Sequence, residues 1–184
     1  MRHMYVVYVN GYGVPKERCD ANYDRYLKVV EQELRRFVAQ GVHPLLVLAG
    51  GYTNPDRLDM SEAQFMRDRL LTDDAKDLTR RLDIHLIEGM SVDENLSALR
   101  AFLIDHGSSM LTMFCEWSRQ DYFRIRAHQM FADATIHPVI FDRGHDPRWD
   151  IRLQQWTKLP WRLLRTRNGD SVTRSANHEL PRSP

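Results

Sequence analysis

Four glutamates, Glu62, Glu88, Glu94 and Glu116, stand at or just beyond the ends of short apolar runs, and of all side chains here they are best placed for chemistry. Carboxylates brought together can bind a divalent cation such as magnesium, hold ribose hydroxyls, or divide into a general acid and a general base. Taken singly they have plainer uses: Glu94 completes a helix cap, Glu62 favours a helix dipole, and the others meet solvent. Glu88 and Glu116 each directly follow an apolar strand pattern, where a partly buried rim is expected. They are therefore the candidate catalytic bases. Arg119 opens a helical pattern, where a cation opposes the macrodipole, and that misfit makes it the candidate electrostatic partner of an anionic ligand. Arg124 and Arg126 lie further along the same pattern and read as a solvated face.

Serines and glycines supply the remaining candidates for ligand binding. Ser61-Glu62-Ala63-Gln64 and Ser91-Val92-Asp93-Glu94 both match the capping box, and Ser118-Arg119-Gln120-Asp121 is a weaker copy. A capping serine and a ligand-binding serine are compatible roles, because a helix N-terminus at the carboxyl edge of a sheet also attracts anions. Asn10-Gly11-Tyr12-Gly13 follows the first apolar run and Gly50-Gly51 the second, so backbone amides there could approach a phosphate, a carboxylate or a ribose. Neither stretch is a complete dinucleotide fingerprint or P-loop, and an ordinary turn explains Gly11 and Gly13 equally well. Asn95 falls in the first turn of a helix, where asparagine has poor propensity, and could reach across the rim. Cys115 reads as a small core residue rather than a thiol nucleophile. The 8 histidines show no pair at metal-ligand spacing, so no metal site is assigned.

The elements that must carry these residues follow from periodicity. Strand patterns cover residues 4–9, 44–48, 84–87, 110–115 and 137–141, and helical patterns cover 22–40, 61–71, 92–104 and 120–132. In the first helix Tyr23, Tyr26, Leu27, Val30, Leu34, Phe37 and Val38 make one apolar face, and Gly41 stops it. Residues 72–83 form a charged connector that either continues the second helix or makes a short helix of its own. This alternation of short apolar runs with helices predicts an α/β fold. The expected form is a doubly wound, mainly parallel five-stranded sheet with helices on both faces and the first strand at its centre.

Expected boundaries place this α/β domain at 1–148, a helical extension packing on it at 149–165 and a flexible polar tail at 166–184. Trp149, Trp156 and Trp161 in the extension either cover the sheet's edge or form a homo-oligomer seam. The net charge of +1 removes the bulk argument for nucleic acid or an anionic membrane as partner. Cys19 and Cys115 are the only cysteines, too few for a disulfide framework, and no apolar run reaches the ~20 residues of a membrane span. With neither signal peptide nor anchor recognised, a cytoplasmic location is expected.

The motifs Val47-Leu48-Ala49-Gly50-Gly51, Ser61-Glu62-Ala63 followed by Met66-Arg67, and Glu88-x-x-Ser91 with Glu94-Asn95 resemble the SanA/YdcF/ElyC-like domain of unknown function. The likeness runs from about Tyr5 to Phe141. It implies a Rossmann-like domain with a polar pocket at the strand ends, lined by Gly50, Gly51, Ser61, Glu62, Glu88, Ser91, Glu94 and Asn95. Within the family S-adenosylmethionine binding belongs to one branch and envelope roles to membrane-anchored branches, so S-adenosylmethionine is one cofactor the resemblance implies. Where the family favours a Thr/Ser-x-x-His-x-x-Arg pattern this chain has Cys115-Glu116-Trp117-Ser118-Arg119, so no role of that histidine carries over. Residues and resemblance together predict a small polar ligand, anionic or nucleotide-like: S-adenosylmethionine, a nucleotide or a sugar phosphate. If the protein is an enzyme, hydrolysis or group transfer at a phosphoryl or glycosyl centre suits this inventory, and the alternative is a non-catalytic ligand-sensing or interaction module.

Overall fold

The computed structural model describes residues 4–11, 14, 21–70, 78, 82–106, 109–139 and 157–160. The chain divides into two compact units, Met1–Gly144 and His145–Pro184. Of the second unit a helical turn over 157–160 is described, and the rest of the expected extension and tail, with all three of its tryptophans, lies outside the described residues.

In the first unit the described elements run β1 Met4–Asn10, α1 Ala21–Ala39, β2 Leu45–Ala49, α2 Glu62–Leu70, β3 Asp83–Ile87, α3 Val92–His106, β4 Ser109–Glu116, α4 Gln120–Met130 and β5 Thr135–Val139. A 3-10 turn, Trp117–Arg119, joins β4 to α4. All strand pairs are parallel, in the order β3-β2-β1-β4-β5. The chain thus steps outward from β1 to β2 to β3, crosses back, and continues from β4 to β5 on the far side of β1. This is a doubly wound α/β fold with β1 at its centre.

Its first strand is apolar because both of its faces are covered. Val7 and Val9 pack with Tyr23, Tyr26, Val30 and Leu34 of α1 and with Ala63, Met66 and Leu70 of α2. Val6 and Tyr8 point the other way, toward Leu96 and Leu99 of α3 and Phe123 and Ala127 of α4. Each layer is also tied laterally. Arg69 Nε donates to Asp24 Oδ1 at 3.0 Å, joining α2 to α1. Across the other face Arg126 Nε donates to Asp93 Oδ1 at 2.6 Å, and Tyr122 donates its hydroxyl proton to the second oxygen of the same carboxylate. Arg126 is therefore a bridge between α3 and α4 rather than part of a solvated face.

Helix α1 ends where Gly41 takes φ 76°, with Val42 N–H returning to Phe37 O at 2.9 Å. An added Cβ at Gly41 would meet nothing, so backbone conformation alone favours glycine there. Strand β5 begins two residues before the expected start at His137, because Thr135 already pairs with Thr112. Pro138 is tolerated within it since an edge strand needs donors on one side only. Residues 72–77 and 79–81, most of the charged connector, lie outside the described residues. Among the described residues no helix is long and apolar enough to cross a membrane.

Leu96 is fully buried between α3 and the sheet. Leu96→Ala is expected to cost about 2–5 kcal/mol of stability through lost burial and the cavity left behind. Urea denaturation checks this: the midpoint should fall with the slope unchanged.

Candidate functional site

A parallel sheet puts the carboxyl ends of its strands on one edge, and here that edge carries Asn10, Ala49, Ile87, Glu116 and Val139 as the last strand residues. Between β1 and β4 the order of the strands reverses. Such a switch point leaves a crevice outside the strand ends, because the loops leaving β1 and β4 turn to opposite faces.

On the β1-β2-β3 side of the edge the backbone is bonded to itself. Gly11 N–H donates to Ala49 O at 2.5 Å and Gly50 N–H to Ile87 O at 2.8 Å, extending both ladders beyond the strands. At the start of α2, Glu62 N–H donates to Gly51 O and Ala63 N–H to Gly50 O, each at 3.0 Å. Of the amides expected to face an anion, those of Gly11 and Gly50 are thus taken by backbone carbonyls. The loop leaving β2 folds back so closely that its own carbonyls take the donors of α2.

Ser61 forms the expected capping box, its Oγ accepting from Gln64 N–H at 3.1 Å while Gln64 Oε1 accepts from Ser61 N–H at 3.3 Å. The Ser61 hydroxyl donates its own proton to Glu88 Oε1 at 2.7 Å. A buried cap thereby holds an exposed carboxylate at the end of β3.

Glu62 is only 3% exposed and turns inward. Thr53 donates its hydroxyl proton to Oε1, and Oε2 lies over Gly11 and Gly50. A Cβ added at Gly50 would fall 2.6 Å from Glu62 Cβ, and one at Gly11 would fall 2.9 Å from the same atom. These two glycines are thus required by a neighbouring side chain of the protein itself. At Gly51 an added Cβ would collide with Gly89 O at 2.8 Å, so the β2 and β3 loops also need a bare backbone between them.

The loop before α3 is held in the same manner. Ser91 Oγ accepts from Glu94 N–H at 3.2 Å, as a cap should, but Glu94 Oε2 accepts from Met90 N–H at 2.7 Å rather than from Ser91 N–H. Asn95 Oδ1 accepts from Gly89 N–H at 2.9 Å. This bond accounts for an asparagine in the first turn of α3 and ties the β3–α3 loop to the helix.

The switch point is furnished differently. Asn10 is buried, donating Nδ2–H to Gly11 O at 2.9 Å and accepting the Tyr8 hydroxyl proton at 3.2 Å. Tyr26 reaches from α1 to donate to Asn10 O at 2.9 Å. Glu116, 1% exposed, ends β4 beside this cluster. Burial pushes the Tyr26 hydroxyl well above its ordinary pKa, with Cys115, Tyr23, Tyr8 and the Glu116 charge adding to it. Tyr8 is raised likewise by burial, then by Cys115 and Glu62. Both phenols therefore remain protonated donors. Arg119 occupies the cap position of α4 without a side-chain capping bond, so the cap expected at Ser118 lies one residue later. Gly13 lies outside the described residues.

Chemically the edge is therefore split. Glu62, Glu94 and Asn95 hold backbone and loops, and Glu88 is engaged by Ser61. Glu116, Asn10 and Arg119 lie at the switch point. Among the described residues no three histidine, cysteine, aspartate or glutamate side chains form a group that could hold a metal ion. Cys115 is buried, and burial first, then the Glu116 charge, pushes its thiol up to about 12. It is a core residue. Sequence reasoning gave no site role to Thr53, Asn54, Tyr8 or Tyr26, although Asn54-Pro55 is a recognisable turn signal. Compared with known proteins, the chain matches no family model, no curated protein and no solved structure.

In a Cys19→Ser variant, iodoacetamide at pH 8 should leave Cys115 unlabelled in the native protein and label it fully after denaturation, read by mass spectrometry. A thiol with a raised folded-state pKa stays protonated while the unfolded chain ionises, so alkali favours unfolding. Its contribution to stability should be complete below the ordinary thiol value of 9.0 and should be lost as pH rises toward about 12, measured by denaturation at a series of pH values. Gly50→Ala should be strongly destabilising in the native background and less so in Glu62→Gly. The double-mutant cycle should give a coupling of about 0.5–3 kcal/mol, of the sign that makes the double variant more stable than the sum of the single changes.

Proposed function

We infer that the protein is a YdcF-like α/β domain that binds a small polar ligand, anionic or nucleotide-like, in the crevice outside β1 and β4. The observation that carries this reading is Glu116, a carboxylate held almost wholly out of solvent at the switch point, with Arg119 three residues further on. Carboxylates in such a position accept bonds from ribose or sugar hydroxyls, and a guanidinium neutralises a phosphate or carboxylate. A nucleotide, a sugar phosphate and S-adenosylmethionine each offer both kinds of group. Were the ligand a substrate, Glu116 would be the base and Arg119 the electrostatic partner in hydrolysis or group transfer. Glu88, bonded to Ser61, would orient hydroxyls from the β3 side.

A second reading, a ligand-sensing or interaction module without turnover, is favoured by a separate observation. Glu62 and Glu94, two of the four carboxylates, accept bonds from Thr53 and Met90 N–H and hold loops in place. Product formation separates the two readings.

Thermal melting of the full chain with nucleotides, S-adenosylmethionine and sugar phosphates, with and without magnesium, tests both. A bound ligand at about a hundred times its Kd should stabilise the native state by about 2.7 kcal/mol. Glu116→Gln and Arg119→Ala should abolish that response and leave the protein folded. A shift that survives both substitutions would move the site elsewhere.

A further inference from the structure

We propose that His85, Phe102 and His106 form an acid-sensitive clasp between edge strand β3 and the last turn of α3, loosened when the second imidazole takes a proton. Strand alternation turns Ile84 and Leu86 toward the layer of α1 and α2, so His85 takes the opposite face, which α3 covers. There its ring stacks on Phe102 with centroids 4.4 Å apart and an interplanar angle of 26°. His106, one helical turn further on, stacks on the same phenyl ring at 4.0 Å and 20°. His106 Nδ1–H donates to Phe102 O at 2.6 Å, which leaves Nε2 as the atom that takes a proton. Two titratable rings therefore rest on a single apolar one.

With both imidazoles neutral these are ordinary aromatic contacts, and they hold the turn together with Leu103, which packs partly on the core. One imidazolium is tolerated, because the face of a phenyl ring attracts a cation. The second proton must be added beside a like charge. Burial first, then the charge of His106, holds the His85 imidazole below its ordinary value of 6.5. Among the described residues, Asp83 on the same strand and Arg100 and Asp105 on α3 are exposed. Strand β2, Leu45–Ala49, has no ionisable residue, and Arg67, Asp68 and Arg69 of α2 belong to the other face of the sheet. When the turn moves away, His85 regains solvent and leaves the charge of His106. The open form therefore binds more protons below pH 6.5, so the clasp is complete above that value and weakens as pH falls below it.

Amide hydrogen exchange on the full chain at pH 7.5 and pH 5.5 tests this. Protection factors of Leu103, Ile104 and Asp105, which divide out the intrinsic pH dependence of exchange, should fall severalfold at the lower pH. The ceiling is about tenfold, set by a free imidazole that titrates one unit above it. Leu96 and Leu99, in the middle of the helix, should keep their protection. His85→Phe retains an aromatic ring against Phe102 and removes the proton site, so its last turn should be equally protected at both pH values. Imidazole NMR gives a second measurement on the folded protein. The His85 midpoint should lie below 6.5 and should move up toward it in His106→Gln. Protection of the last turn that is unchanged in acid, or lost equally along the whole helix, would overturn the proposal. So would a pH dependence that survives in His85→Phe, or a His85 midpoint that stays in place when His106 is replaced.

Discussion

Burial of β1 on both faces is the constraint on which this structure depends. Val6, Val7, Tyr8 and Val9 have no exposed surface, and the strand is bonded to β2 on one side and β4 on the other. Side chains of this size each contribute about 1.5–3 kcal/mol when fully buried rather than exposed. Neither half of the sheet can cover both faces of β1 alone, since α1 and α2 lie on one face and α3 and α4 on the other. The crossover from β3 to β4 carries α3, the first helix of the second layer, and by reversing the strand order it also makes the junction of β1 and β4 the switch point of the sheet. Core and switch point therefore have a single origin.

The carboxyl edge shows how a protein can use the features of a binding loop on itself. Bare glycine, capping serine and acidic side chains are what an anion or nucleotide site needs, and here most of them meet one another first. Glu62 lies against Gly11 and Gly50, Ser61 bonds to Glu88, and Glu94 and Asn95 take the amides of Met90 and Gly89. Buried polar groups must find partners, and along β1, β2 and β3 the nearest partners are internal. Glu116 and Arg119 lie at the β4 end of the same edge, next to the switch point.

The readings that agreed with the structure rest on interactions a few residues long. The apolar face of α1 and the two serine caps connect positions three or four apart, so each is recorded in a short stretch of chain. The same local logic misplaced β5 by two residues, because pairing of Thr135 with Thr112 rather than local composition starts that strand. It also treated Arg126 as solvated when its partner, Asp93, is 33 positions away on another helix.

By itself, then, the amino-acid sequence determined the order and kind of the elements, the central place of β1 and the residues brought to the carboxyl edge. Hydrophobic periodicity and parallel alternation suffice for that. Only the tertiary structure decided which of those residues bond to each other, since Glu88 meets Ser61 across 27 positions and Glu62 meets Gly11 across a strand crossing. The physical reason is that a donor cannot be assigned to a ligand or to the protein until every acceptor within reach has been brought into place by the fold.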